Sequence, residues 1–317
     1  MTHPPIKAER RPTICFIVTG AASARHVDML HLSLMSVRRC EADARVCLVT
    51  DRACEGDLSV NRSSLLDLCS EVVVENSIYD DPVKRSRDLR IRLRSLVSGR
   101  LLYVDGDTLF VRPVGGIPEI NTCVAAVCDF NYTPVKAIRK AVPSEVAAAV
   151  GSSLTSLGLA WPSSSFNAGV FLMEDTPEAG QFAARWLEVW NRILNCNDPR
   201  VVHLSDQIAF NLTCDELRNS VGTLANRYNT MVPTSPQLTS IASILHFFGS
   251  PAQIQGTLLE HLLMRFKETG CLDESAIERC LREGHPWGPH PEAWRYMRSG
   301  NVVRAALAKA RRTMGFP

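Results

Sequence analysis

Asp105 and Asp107 stand two positions apart at the end of an apolar run, Leu101-Leu102-Tyr103-Val104, with Gly106 between them. Four consecutive apolar residues closed by polar ones predict a buried strand of a parallel sheet. Residues two apart in an extended chain share a face, so both carboxylates can be aimed at one point, and the glycine allows a ligand close to the backbone. Two hard oxygen donors suit Mg²⁺ or Mn²⁺, in a kind of site that substrate phosphates usually complete. A strand end running into a polar turn would leave the same letters without the chemistry. The pair is therefore weighed with other polar residues that close or open apolar runs. These are Thr19 and Gly20 after Ile14–Val18, Asp129 after Cys123–Cys128, Asn167 and Gly169 at the mouth of Phe166–Met173, and His246 within Ser243–Gly249. A single histidine at a strand end is ordinarily structural. Ser205-Asp206-Gln207 opens a helix, with Ser205 expected as its N-cap and Asp206 on the favourable positive end.

The elements that must position these residues alternate in type. Strands are expected at Ile14–Val18, Val46–Val49 and Val72–Val74, separated by a helix over His26–Cys40 and a short one carrying Leu65, Leu66 and Leu68. Such alternation implies a parallel, doubly wound sheet, whose ligand lies beyond the carboxyl ends of the strands. Thr19-Gly20 and Asp105-Gly106-Asp107 then fall on the same rim. Lys84–Arg100 is expected to be one basic helix with Leu89, Leu93, Leu96 and Val97 as its core stripe. Arg87, Arg90 and Arg94 share one flank, and Arg87 or Arg90 is expected to look onto a bound diphosphate, the other arginines being solvated. Phe130–Ser165 is irregular, with helical patches at Val135–Ala141 and Ser144–Val150, and is expected to form a lid or an acceptor-side excursion. Pro177–Leu194 is amphipathic, with Trp186 and Trp190 in the core. Helices are expected at Leu258–Phe266, Glu274–Leu281, Pro291–Met297 and Val302–Met314. The last joins Val302, Val303, Ala306, Leu307, Ala310 and Met314 to Arg304, Lys309, Arg311 and Arg312. It is either an interfacial helix for an anionic membrane surface or a terminal helix docked on its own domain.

Bulk properties bound the classes. A chain of 317 residues with 45% apolar and 21% charged residues can bury a full core. A formal charge of +2 does not mark a nucleic-acid binder. The eleven cysteines show no CxxC pair and no zinc-type spacing, which fits buried thiols in a reducing cytoplasm. The polar N-terminus resembles no export signal, and no run approaches the ~20 apolar residues of a membrane helix. The expected layout is a disordered segment over 1–12, a catalytic domain over 13–250 and a helical extension over 251–317.

Five ordered signals resemble a GT-A-fold glycosyltransferase of the family-eight type, the retaining nucleotide-sugar enzymes. They are the opening strand, Leu-Tyr-Val-Asp-Gly-Asp, Phe-Asn-Ala-Gly-Val, Ser-Asp-Gln and His-Phe-Phe-Gly, running from about Thr13 to Gly249. The resemblance implies an α/β fold of GT-A type: Rossmann-like, doubly wound and mostly parallel, with a helical C-terminal extension. It further implies that Asp105, Asp107 and His246 hold Mn²⁺ (or Mg²⁺) and that Thr19 and Gly20 lie against the base of a UDP-sugar. Arg90 or Arg87 would supply a basic donor contact beside Gly106. Asp129, Asn167, Asp206 and Gln207 would hold the transferred sugar, with Gln207 on the face of transfer. Gly169 would keep the strand mouth open, and Gly106, Ala168 and Gly249 would belong to the donor-binding set. The acceptor is an unidentified hydroxyl, and transfer is expected to retain the anomeric configuration. One departure is plain: the Lys-Pro-Trp that follows the family's His-x-x-Gly is replaced by Ala252-Gln253-Ile254. Aspartyl-phosphate phosphatases have a similar Asp-x-Asp, but their hydroxyl residue falls where Leu109 stands here. Sugar-phosphate nucleotidyltransferases need a Gly-rich, Lys-bearing first turn, which Thr19–Ser23 lacks. The non-enzyme alternative is an inactive sugar-nucleotide-binding scaffold.

Overall fold

The computed structural model describes residues 11–128 apart from 115 and 118, 144–249 apart from 197, and 254–287, with 302, 303, 306, 307 and 310 beyond them. Seven strands form the larger sheet: β1 (Thr13–Val18), β2 (Val46–Thr50), β3 (Glu71–Val74), β4 (Leu101–Val104), β6 (Val124–Cys128), β7 (Phe166–Met173) and β8 (Val221–Thr223). Their order across the sheet is β3-β2-β1-β4-β7-β6-β8. All neighbours are parallel except β7, which runs against both β4 and β6. The expectation of a doubly wound, mostly parallel sheet therefore holds.

Strand alternation explains the two covered faces. Ile14, Phe16 and Val18 of β1 share a core with Val27, Leu30 and Leu34 of α1 (Arg25–Cys40), with Cys54 and Leu58 of α2 (Arg52–Asn61) and with Leu65 of α3 (Ser63–Leu66). Cys15 and Ile17 point the other way. They join Leu89 and Ile91 of α4 (Pro82–Ile91), Leu93 of α5 (Leu93–Leu96), Phe182, Trp186 and Trp190 of α7 (Pro177–Leu194), and Phe210 of α9 (Ser205–Glu216). Helix α6 (Ser144–Ser156) and the short α8 (Pro199–His203) complete this side.

Two expectations need correction. The basic segment is not one helix to Arg100: it breaks at Arg92 (φ −82°, ψ 0°) and ends at Leu96. Arg92 reaches Asp88 and Glu75, and Arg94 donates to the carbonyls of Val97 and Gly99, where φ is 80°. The arginines outside the site are therefore paired rather than simply solvated. Ser205 is not a cap; Leu204 holds that position, and the Ser205 hydroxyl accepts instead from Trp190 Nε1 (2.9 Å). The structure also forms a second sheet. In it β5 (Thr108–Phe110) lies antiparallel to β10 (Ile244–His246), and β9 (Thr230–Met231) lies parallel to β10. Its Leu109, Leu245 and the adjoining Phe247 share a core with Leu32 of α1, with Leu258, Leu259 and Leu262 of α10 (Leu258–Thr269), and with Ile277 of α11 (Glu274–Glu283).

The mouth of β7 shows how the site is held open. On the β4 side, pairing starts at Val104↔Val170, and the register against β6 shifts between Ala126 and Val127. Side chains of α9 take up backbone groups at this end. Asn211 accepts the Phe166 N–H (2.7 Å) and donates to its carbonyl (3.0 Å), and Gln207 Oε1 accepts the Ala168 N–H (3.0 Å). Residues 1–10, 135–141 and 291–297, which carried expectations, lie outside the described residues. Val302, Val303 and Leu307 are more than half exposed. Among the described residues no helix is long and apolar enough to cross a membrane.

Buried backbone groups left unpaired cost about 1–3 kcal/mol each. Asn211→Leu strands the Phe166 N–H, while the Phe166 carbonyl keeps the Gln207 amide as a donor, so it is expected to lower stability by roughly 1–3 kcal/mol. Urea unfolding measures this, and an unchanged midpoint would show that the clamp contributes nothing.

Candidate functional site

The turn from β4 into β5 carries the chain from the larger sheet to the smaller one. Thr108 Oγ1 ties it by donating to the Asp105 carbonyl (2.8 Å), and the Phe247 N–H donates to the Asp107 carbonyl (3.0 Å). Antiparallel pairing sets His246 opposite Thr108, so the imidazole arrives beside the two aspartates. One potential ligand atom from each of Asp105, Asp107 and His246 falls within 4.8 Å of the others. His246 Nε2 lies 3.2 Å from Asp107 Oδ1 and 3.8 Å from Asp105 Oδ2.

The two oxygens of Asp105 are differently placed. Oδ1 accepts from the Tyr103 hydroxyl and lies 3.6 Å from Arg90 Nη1. Oδ2 is left facing His246 and Gly169. A Cβ on Gly169 would fall 2.6 Å from Asp105 Oδ2 and 2.9 Å from Asn167 Oδ1, and would also collide with the His246 ring. Only glycine leaves that space. Gly106, by contrast, is needed on its other side, where a Cβ would press on Leu30 of α1 at 3.3 Å.

His246 is 1% exposed, yet its Nε2 makes no hydrogen bond, which is costly for a buried polar atom unless something else meets it. A bare imidazole nitrogen between two carboxylates is a donor set that fits Mn²⁺ or Mg²⁺. The charges agree. Asp206 is 8% exposed and is paired through both oxygens, with Arg87 Nε at 3.0 Å and with Arg90 Nη2. Three carboxylates thus face two guanidiniums, and the uncompensated charge sits at the Asp105–Asp107 end. Burial lifts the Asp105 carboxyl above its ordinary range; Arg90 opposes this and Asp107 adds to it. Burial alone would lower His246, but the Asp107 and Asp105 carboxylates outweigh it and the imidazole is raised above 6.5. Burial and the neighbouring Arg90 bring Arg87 down to about 10.

Two cavities meet at this cluster and share Arg87, Arg90, Asp105 and Asp206. One, of about 440 Å³, is walled by Thr19, His26, Pro82 and Gly106. The other, of about 320 Å³, is walled by Asn167, Gln207, Trp161 and Phe248. Asp107 lines the first, and His246 and Gly169 line the second.

The remaining expected residues are distributed unevenly. Thr19 donates to the Pro82 carbonyl (2.7 Å) and its own carbonyl accepts from His26 (3.0 Å). Gly20 turns there with φ 93°. Arg87 also clips the end of α8 through the carbonyls of Val202 (3.2 Å) and His203 (2.7 Å), while lining both cavities. Ala168 is buried, and Gly249 (φ 121°) is exposed; neither lines the two cavities. Asp129 lies outside the described residues. Sequence reasoning missed His26, Asn229 and the hydroxyl of Tyr103. Asn229 is 1% exposed and its Oδ1 lies 2.9 Å from His246 Nδ1. Only the Tyr103 position carried a local signal, two residues before Asp105 on one strand face.

No protein-family model matches the chain, and a search of curated proteins finds no significant match. Among solved structures, the glycosyltransferase GlyE of Streptococcus pneumoniae TIGR4 is similar over 88% of this chain, with 13% identity and a TM-score of 0.51. The galactosyltransferase LgtC, crystallised with donor and acceptor sugar analogues, is similar over 82% of this chain and 96% of its own, with 14% identity and a TM-score of 0.49. The chain spans only 65% of the length of GlyE. At this identity the likeness to GlyE shows the fold alone, an α/β architecture consistent with the expected GT-A type.

Metal-free stability should depend on pH in a defined direction. His246 and Asp105 are both raised, so each favours its protonated form in the folded protein. The stability they supply is present below their ordinary values and is lost as pH rises through the raised ones. A cation offsets the charge that remains. The increase in melting temperature on adding Mn²⁺ should therefore grow between pH 6 and pH 8, read by calorimetry. A constant increment would contradict this electrostatic account.

Proposed function

We propose that the chain is a metal-dependent glycosyltransferase that moves a sugar from a nucleoside-diphosphate sugar, UDP-sugar foremost, to a hydroxyl acceptor with retention. The observation that carries this reading is the Asp105–Asp107–His246 cluster at the junction of two cavities on the carboxyl-end rim of a GT-A sheet. Mn²⁺ or Mg²⁺ held there would supply Lewis-acid stabilisation of the departing diphosphate. In this reading the cavity beside Thr19, Gly20 and His26 takes the nucleoside. The cavity beside Asn167, Asp206 and Gln207 takes the transferred sugar, and its Trp161–Phe248 side takes the acceptor.

The role of the protein groups is positioning and water exclusion. Arg90, stacked near Tyr103 and Trp186, keeps its guanidinium between Asp206 and Asp105. Asp206 has both oxygens tied and Gln207 is neutral, so neither supplies a strong base. That supports retention, with the departing phosphate taking the acceptor proton.

Hydrolysis of a panel of sugar nucleotides with Mn²⁺ tests the proposal. One donor should be turned over, and Asp107→Ala should lose about 10²–10³-fold of that rate. No turnover with any donor, alongside intact Mn²⁺-dependent binding, would assign the chain a non-catalytic binding role. NMR of the product anomer tests retention, and an inverted linkage rejects it. Contact with an anionic membrane is proposed for 302–317, supported by the exposed Val302, Val303 and Leu307 among basic residues. Deleting 302–317 should abolish sedimentation with anionic liposomes and leave hydrolysis intact; unchanged sedimentation removes the idea.

A further inference from the structure

Three side chains behind the metal cluster form a hydrogen-bonded chain whose direction can be worked out atom by atom. It starts at a group that can only donate, the Gly169 backbone N–H, which meets the Asn167 side chain at 2.9 Å. The Asn167 atom at that end must be the carbonyl oxygen Oδ1. The same oxygen also meets the Asn229 amide at 3.0 Å. Since Oδ1 has no hydrogen to give, the Asn229 atom facing it must be Nδ2, which leaves Asn229 Oδ1 turned towards His246. That oxygen lies 2.9 Å from His246 Nδ1 and can only accept. The imidazole hydrogen therefore sits on Nδ1, and Nε2 keeps a bare lone pair 3.2 Å from Asp107 Oδ1. An amide flip at either asparagine would break the chain, so backbone geometry fixes the assignment.

We infer that Asn229, oriented by Asn167, is a positioning residue that locks His246 in the Nδ1–H tautomer and so prepares Nε2 to ligate a divalent cation. Asn229 is 1% exposed and lines neither of the two cavities, so it acts through the histidine and not on a ligand directly. The same chain fixes what Asn167 can offer. Its Oδ1 already receives two hydrogens, so its Nδ2 is the group left for the cavity, and its partner there is an oxygen that accepts. This inference rests on the metal reading above and adds the device that orients its nitrogen ligand.

The test uses the full-length protein. With the imidazole neutral and no metal present, ¹⁵N NMR of the wild-type protein should show His246 protonated on Nδ1 and bare on Nε2. Asn229→Leu should mix the tautomers and weaken Mn²⁺ binding, followed by titration calorimetry, by about 10–100-fold. Asn229→Asp retains an oxygen for Nδ1, so it should keep the tautomer although it loses the bond to Asn167. That contrast separates the hydrogen-bond role from mere filling of space. An Nε2–H tautomer in the wild-type protein overturns the inference, as does unaltered Mn²⁺ affinity in a folded Asn229→Leu protein. If the wild-type protein binds no Mn²⁺, the metal reading falls and takes the ligating role of His246 with it. The tautomer spectrum, recorded without metal, tells that outcome from a failure of the asparagine chain alone.

Discussion

Two carboxylates held together at a strand end repel one another, and much of the surrounding structure is arranged to offset this. With their ligand atoms within 4.8 Å of each other, two like charges cost about 3 kcal/mol or more at an effective dielectric of about 20. Tyr103 gives Asp105 a hydrogen bond, and Arg90 lends it part of a positive charge. Arg90 is shared, however, with the more deeply buried Asp206, which also takes Arg87. The arginines thus go mainly to the helix carboxylate, and the turn carboxylates keep a deficit of positive charge. That imbalance, rather than the presence of acidic residues as such, makes the cluster a place for a cation.

The same economy of partners explains why β7 runs against its neighbours. An antiparallel strand brings its beginning, Phe166 to Gly169, to the rim where β1 and β4 end. Polar and glycine residues at a strand beginning then reach the site without interrupting the apolar Val170–Met173 that follows. The backbone at that entrance still needs hydrogen-bond partners, and α9 supplies them from Gln207 and Asn211, one turn apart. Gln207 is accordingly a clamp on β7 as well as a cavity wall.

These relations differ in how far local sequence reveals them. Buried strands longer than three residues announce themselves by unbroken apolar runs, and Leu101–Val104 and Val170–Met173 are legible on that ground. So is the placing of Asp105 and Asp107 on one face. The grouping of His246 with them was reached through resemblance, because a histidine far along the chain has no local mark of its partner. The smaller sheet is different. Its strands have two or three residues, too few to show a period, and they exist because distant segments pair. Asn229 follows a 3₁₀ turn with nothing around it to distinguish it from a loop asparagine. The Ser205 cap fails, and the further ties of Arg87 go unseen, for a related reason. A side chain near a helix end was read against its own helix, whereas Trp190 and the carbonyls of α8 compete for it from outside.

The division of the chain between its two sheets has a bearing on biosynthesis. Every strand of the seven-stranded sheet is complete by Thr223, but the three-stranded sheet waits for Ile244–His246. A nascent chain that has emerged only as far as β8 can assemble the large sheet and expose both aspartates while lacking the imidazole and the strand that pairs with β5. The Asp105–Asp107–His246 group is therefore completed only after every strand of the large scaffold has been made.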